Sequence, residues 1–174
     1  QMVQSVTLSG RVLDPMGGGL PGQMVVVSPW GGGSELQSIS DAGGNYYLNL
    51  APGNYRIYTY KNGNDTSLIA PPSYTISNRQ PFELTQNTIV DLILPVKRVA
   101  IHIQDPAGNP VVNAKIESNG PTNSQLLFAG LLASGYSMTA YRYSDENGDV
   151  VQWLFPTDGS DSYTFTVFPP SGTP

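Results

Sequence analysis

Hydrophobic and polar residues alternate one by one over short stretches of almost the whole chain. In the first stretch Val6, Leu8, Gly10 and Val12 fall on one face while Thr7, Ser9 and Arg11 fall on the other, the two-residue period of a half-buried β-strand. The period returns at Val99, Ile101 and Ile103, with Arg98, Ala100, His102 and Gln104 opposite. Both stretches run into Asp-Pro, at 14–15 and 105–106. Proline lacks the N–H that a ladder needs and the following glycines admit positive φ, so each stretch predicts a strand ending in a turn. Second strands are expected at 23–28 and 111–118. Further strands are expected at 38–40, 46–50, 55–60, 73–76, 80–84, 88–94, 137–143, 150–155 and 163–168. Turn residues separate them at the short spacing of a β-sandwich. Only 124–134, with Leu126, Leu127, Phe128, Leu131 and Leu132, predicts a helical turn, and Gly130 and Gly135 limit its length.

The pattern is written twice. Asp14-Pro-Met-Gly17, followed by Ser40-Asp41 with Gly44-Asn-Tyr46, returns as Asp105-Pro-Ala-Gly108, followed by Ser144-Asp145 with Gly148. The separation is 91 residues between the first aspartates, 104 between the second pair and 108 between Tyr55 and Tyr163, so loops have lengthened in the second copy. Such a repeat predicts two small domains, 1–95 and 96–174, each an all-β sandwich. They meet near Pro95 with almost no linker, as a semi-rigid rod.

Ser9-Gly-Arg-Val-Leu-Asp14, the Gly18-Gly-Leu-Pro-Gly22 turn, Asp41 with Gly44-Asn-Tyr46, and Pro52-Gly-Asn-Tyr55 together resemble the carboxypeptidase regulatory-like domains. The second copy departs from that pattern, with Gly148-Asp-Val150 and a long Pro156-to-Tyr163 connection. It is similar instead to bacterial immunoglobulin-like variants of the architecture. The resemblance implies two tandem Greek-key β-sandwiches of transthyretin-like and immunoglobulin-like type. It also implies an accessory role beside other modules of the same polypeptide or of a surface assembly. A fold-level likeness sets an expectation and not a function.

Composition narrows the partners. Eight basic against 13 acidic residues give a net charge of -5, and Lys97-Arg98 is the only adjacent basic pair, which argues against nucleic acid. No run reaches the roughly 20 apolar residues of a membrane helix, so membrane insertion is not expected. With no cysteine, disulfides and thiolate chemistry are excluded. Few charges beside abundant Gly, Asn, Ser, Thr and Tyr point to a secreted bacterial protein, extracellular or at the cell surface. The start at Gln1 without a signal-like segment fits a mature or excised fragment. The Asn64-Asp65-Thr66 triplet is a glycosylation sequon of a kind that arises often by chance.

Candidate chemistry is sparse. His102 is the single histidine and lies on a polar strand face, no Gly-x-Ser-x-Gly elbow occurs, and the aspartates sit beside Gly or Ser where they cap turns, so no enzyme is expected. No cofactor is expected either, apart from the possibility of calcium. Asp145, Asn147 and Asp149 offer oxygens at alternate loop positions, with Asp158 and Asp161 as additional ligands, against the plain reading of a hairpin turn. Polysaccharide binding would need exposed aromatics among polar groups. Trp30 in its glycine-flanked loop, Tyr58 and Tyr60 with Arg56, and the Tyr141–Tyr143 pair are candidates, against a packing role; Trp153 is assigned to the core. The expected function is a non-catalytic structural or adhesive module. A carbohydrate-binding module is the first alternative; a calcium-stiffened spacer or strand-exchanging filament subunit is the second.

Overall fold

A strand whose alternate side chains are apolar must bury one face, and in this chain it does so against a second sheet. A computed structural model describes residues 5–63, 69–137, 140–157, 159 and 162–170. Among them every regular element is a strand. No helix is long and apolar enough to cross a membrane.

In the first copy the strands are β1 (Val6–Leu13), β2 (Met24–Pro29), β3 (Leu36–Ile39), β4 (Asn45–Leu50), β5 (Gly53–Lys61), β6 (Tyr74–Asn78), β7 (Phe82–Leu84), β8 (Thr88–Ile89) and β9 (Leu92–Ile93). One sheet sets β4 antiparallel to β1, with β8 and β9 parallel on the other side of β1. The facing sheet runs β3-β2-β5-β6, with β7 also on β5. Leu8, Val12, Val25, Ile57, Tyr74, Ile76, Leu84 and Leu92 fill the interior between them. The segment 88–94, expected as one strand, is two. A Cβ on Gly10 would stand 1.9 Å from the Val90 carbonyl oxygen, so β1 admits the crossing chain only at glycine. There the ladder breaks, and side chains replace it: Asn87 Oδ1 accepts the Thr7 amide at 2.9 Å, Asp91 Oδ1 accepts the Arg11 amide at 3.0 Å, and Tyr46 donates to the Val90 carbonyl at 2.7 Å.

The second copy repeats the β1-to-β5 part of this frame residue by residue. Its strands are β10 (Lys97–His102), β11 (Lys115–Asn119), β12 (Asn123–Phe128), β13 (Leu131–Ser137), β14 (Ala140–Tyr143), β15 (Asp149–Leu154) and β16 (Thr164–Phe168). Leu8 faces Leu48 between β1 and β4, and Val99 faces Gln152 between β10 and β15. Val25 lies between Ser38 and Thr59, as Ile116 lies between Arg142 and Val167. These pairs keep the sequence separations of 91, 104 and 108. The second strand begins later than 111: Val112 and Asn113 form the turn, and Asn113 takes a φ of 58° where the first copy has Gly22 at 69°.

The added loop length is where the sequence reading needs correction. Residues 124–134 form no helical turn. They are most of the β12–β13 hairpin, closed by Ala129 and Gly130 with φ of 52° and 74°, the left-handed pair that a two-residue hairpin loop requires. The hairpin does not stay with its own copy. β13 pairs antiparallel with β6, from Ala133 opposite Asn78 to Ser137 opposite Tyr74, and extends the first copy's sheet. Leu126, Phe128, Ala133 and Phe155 join the first copy's hydrophobic core. The junction at Pro95 is therefore no clean boundary between two self-contained interiors, because a sheet and a core cross it. Trp153 is also placed differently from expectation. Alternation along β15 buries Gln152 and Leu154, and the indole lies on the other face, half-buried against the shared core.

Candidate functional site

Four aspartates make one local structure. Asp14 Oδ1 accepts the amides of Met16 and Gly18 at 2.7 and 2.9 Å, and Asp41 Oδ1 accepts those of Gly43 and Asn45 at 2.8 Å each. Asp105 takes Ala107 and Asn109 at 2.8 Å, and Asp145 takes Asn147 and Asp149 at 2.9 Å. A carboxylate gathering amides two and four residues on fixes a turn. Asn45 Nδ2 also donates to Asp41, and this bond above all, with the Asn45 and Gly43 amides and the charge of Arg11, holds the Asp41 carboxyl below its ordinary range. Asp105 is lowered in the same way, chiefly by the Asn109 side chain.

This geometry bears on the calcium candidates. Asp145 is engaged by its own loop amides, and Asp149 Oδ1 lies 2.8 Å from His102 Nδ1. His102 is exposed, as its polar strand face implied. Among the described residues no group of three or more His, Asp or Glu could hold a metal ion. Asp158, Asp161 and the Asn64-Asp65-Thr66 sequon lie outside the described residues.

The aromatic candidates fall into two patches on different sheets. On the outer face of the large sheet Tyr58 and Tyr60 stack with ring centroids 6.2 Å apart, and the Arg56 guanidinium lies 5.4 Å from the centre of the Trp30 ring. The Tyr58 hydroxyl donates to Glu35 at 2.8 Å; burial of the ring, with that bond, pushes its pKa up to about 12. Trp30, Arg56, Ser77, Asn78, Arg79 and Ser134 line a shallow depression of about 340 Å³. Sequence reading placed Trp30, Tyr58 and Tyr60 together but missed what the second copy adds. The hairpin sets Ser134 beside Ser77 and Tyr136 beside Thr75 on the same face. No local pattern signalled this, because it depends on which sheet the hairpin joins. Tyr141 and Tyr143 form a separate edge-to-face pair, 6.2 Å apart, with Lys115 Nζ 4.9 Å from the Tyr141 ring.

The architecture defines an all-β sandwich protein. Residues 7–88 match the model of the carboxypeptidase regulatory-like domain family. No curated protein sequence matches the chain. Among solved structures, the Bacillus anthracis TIE protein is 17% identical over 94% of this chain and 28% of its own, with a TM-score of 0.36. A streptococcal ancillary pilin is 13% identical over 98% of this chain and 54% of its own, with a TM-score of 0.36. The shaft pilin of Lactobacillus rhamnosus GG is 11% identical over 99% and 90%, with a TM-score of 0.40. The chain thus spans about a quarter and about half of the first two proteins' lengths.

Proposed function

We propose that the chain is a non-catalytic structural module of a secreted or cell-surface bacterial protein, which fixes the spacing and direction of neighbouring modules. The observation that carries this reading is the ladder between β13 and β6. With Leu126, Phe128 and Phe155 in the first copy's core, it couples two sandwiches through a sheet and an interior where a bare linker would leave a hinge. The carboxypeptidase regulatory-like match and the low charge content support it. Urea unfolding followed by Trp fluorescence and by circular dichroism tests the coupling: coincident curves are expected, and two separate transitions would refute it. A calcium titration separates this plain spacer from a calcium-stiffened one through Asp145, Asn147 and Asp149; the melting temperature is expected to stay where it is.

A second reading, polysaccharide binding, is favoured by one arrangement. Trp30, Tyr58 and Tyr60 share a sheet face with Arg56, Ser77 and Ser134, so apolar rings stand among hydrogen-bonding groups. A glycan array with wild type and Trp30→Ala decides it. Binding that disappears in the variant promotes this reading, and silence across plant, algal and bacterial glycans removes it.

A further inference from the structure

Arg56 is a positioned cation whose hydrogen-bond donors are unused. Its guanidinium lies 5.4 Å from the centre of the Trp30 ring, and the loop that carries this ring is fixed: the Trp30 amide donates to the Asn54 carbonyl at 2.9 Å, and the Gly32 amide to the Pro29 carbonyl at 2.9 Å. A guanidinium set over an aromatic ring keeps its in-plane N–H donors for other partners. Among the described residues Arg56 makes no hydrogen bond and no ion pair. Glu35, the acid beside this patch, accepts the Tyr58 hydroxyl at 2.8 Å instead.

A second cation shares the depression. Arg79 follows β6 directly, and its amide donates to the Leu132 carbonyl of the hairpin at 2.7 Å. The Asn78 side chain ties that corner to β5 by accepting the Ile57 amide at 2.8 Å. Two of the chain's five arginines thus line one hollow of about 340 Å³, with Ser77 and Ser134 and with no Asp or Glu. In a chain of 13 acidic and 8 basic residues this is a local excess of positive charge against the overall sign.

We infer that this depression binds the carboxylate of an acidic saccharide, a polymer containing uronic acid residues, and that Arg56 is the residue that recognises the acid. The inference rests on the polysaccharide reading above and adds to it the class of sugar. A carboxylate takes two parallel N–H bonds from one guanidinium, and Trp30 already holds Arg56 in place, so little side-chain freedom is lost on binding. Hydroxyls of the same sugar meet Ser77 and Ser134. Rings further along the polymer meet Tyr58 and Tyr60, stacked 6.2 Å apart on the same sheet face. An acidic peptide fits this face less well. An extended peptide gains affinity from main-chain bonds at a sheet edge, whereas β5 and β6 are interior strands, with β2 and β13 completing their ladders, and offer only side chains.

The probes are oligosaccharides of galacturonic, glucuronic, mannuronic and guluronic acid, arrayed with their carboxyl-reduced counterparts, in which each carboxylate has become a neutral hydroxymethyl group. The acidic member of at least one pair should bind more tightly than its reduced partner by about tenfold or more. Arg56→Gln should abolish that preference. Arg98→Gln, which removes the same charge from an exposed position on β10 in another sheet, should leave it intact. Equal binding of acidic and reduced forms overturns the inference while the polysaccharide reading stands, and silence toward every pair overturns both. An acid preference that survives Arg56→Gln also overturns it. So does poly-glutamate that binds as tightly as the saccharides and competes with them, which would assign the site to an acidic peptide. The comparison of acidic with reduced forms on the wild-type protein needs no variant, so it decides the matter even if Arg56→Gln lowers the stability.

Discussion

Tyr163 donates its phenolic hydrogen to the carbonyl oxygen of Phe155 at 2.9 Å, repeating in the second copy the bond from Tyr55 to Ala51 at 2.6 Å. Each clamps the entry of a strand to the end of the one before it. Because the Tyr163 hydroxyl is half-buried, Tyr163→Phe leaves the Phe155 carbonyl without its partner, a loss of about 1 kcal/mol. Tyr55→Phe should cost a similar amount. Both should lower the urea midpoint without altering the slope of the transition.

Gly44 and Gly148 are more demanding than Gly17 and Gly108, which close the corresponding turns at Asp14 and Asp105. Both have positive φ, 83° and 78°, and an added Cβ would lie 2.5 Å from the Val12 carbonyl oxygen or 2.4 Å from that of Ile103. Gly17 and Gly108 have nearly the same φ, 85° and 87°, with open space around them. Gly108→Ala should therefore cost only the left-handed strain, about 1–2 kcal/mol. Gly148→Ala should cost clearly more, since backbone must move as well. Equal costs in thermal unfolding would refute the packing argument.

Acid should weaken the turns at Asp41 and Asp105. A carboxyl held below its ordinary value of 3.8 stabilises the folded state fully above that value, and the contribution disappears as pH falls through the lower folded pKa. Asn45→Ala and Asn109→Ala remove the largest cause of each shift. Carboxyl titrations by NMR should move upward in these variants. Their stability deficit should be present at neutral pH and narrow below pH 3.8.

Phe128 tests whether the hairpin belongs energetically to the first copy. Its ring is 1% exposed within that copy's core, so Phe128→Ala should cost about 3–5 kcal/mol. Hydrogen exchange should then rise in β6 and β5 as well as in the hairpin. A rise confined to residues 123–137 would show that the ladder is decorative.

The parts of this fold that were legible in the sequence are those with local chemistry. The Asp-Pro and Asp-x-x-Gly turns announced the repeat because a carboxylate can reach only the amides just ahead of it. Strand alternation likewise followed from residues such as Val6, Leu8 and Val12. The hairpin was misread because Leu126, Leu127 and Phe128 are consecutive apolar residues, ambiguous between a helical turn and a strand covered on one side and exposed on the other, with Leu127 68% exposed. Its attachment to β6 had no local signal. Neither did the break between β8 and β9, which depends on how closely Val90 approaches Gly10 across the sheet. Of the aromatic face, Trp30, Tyr58 and Tyr60 could be grouped by strand and loop, whereas Tyr136 and Ser134 reach it only through that long-range pairing.

The 13 residues by which 104 exceeds 91 fall between β11 and β14, the interval that contains the hairpin. A modest insertion in one loop therefore acts as a clip that reaches back onto the preceding unit. The second unit thereby takes its tilt from the first through the clip, with no dedicated connector between them.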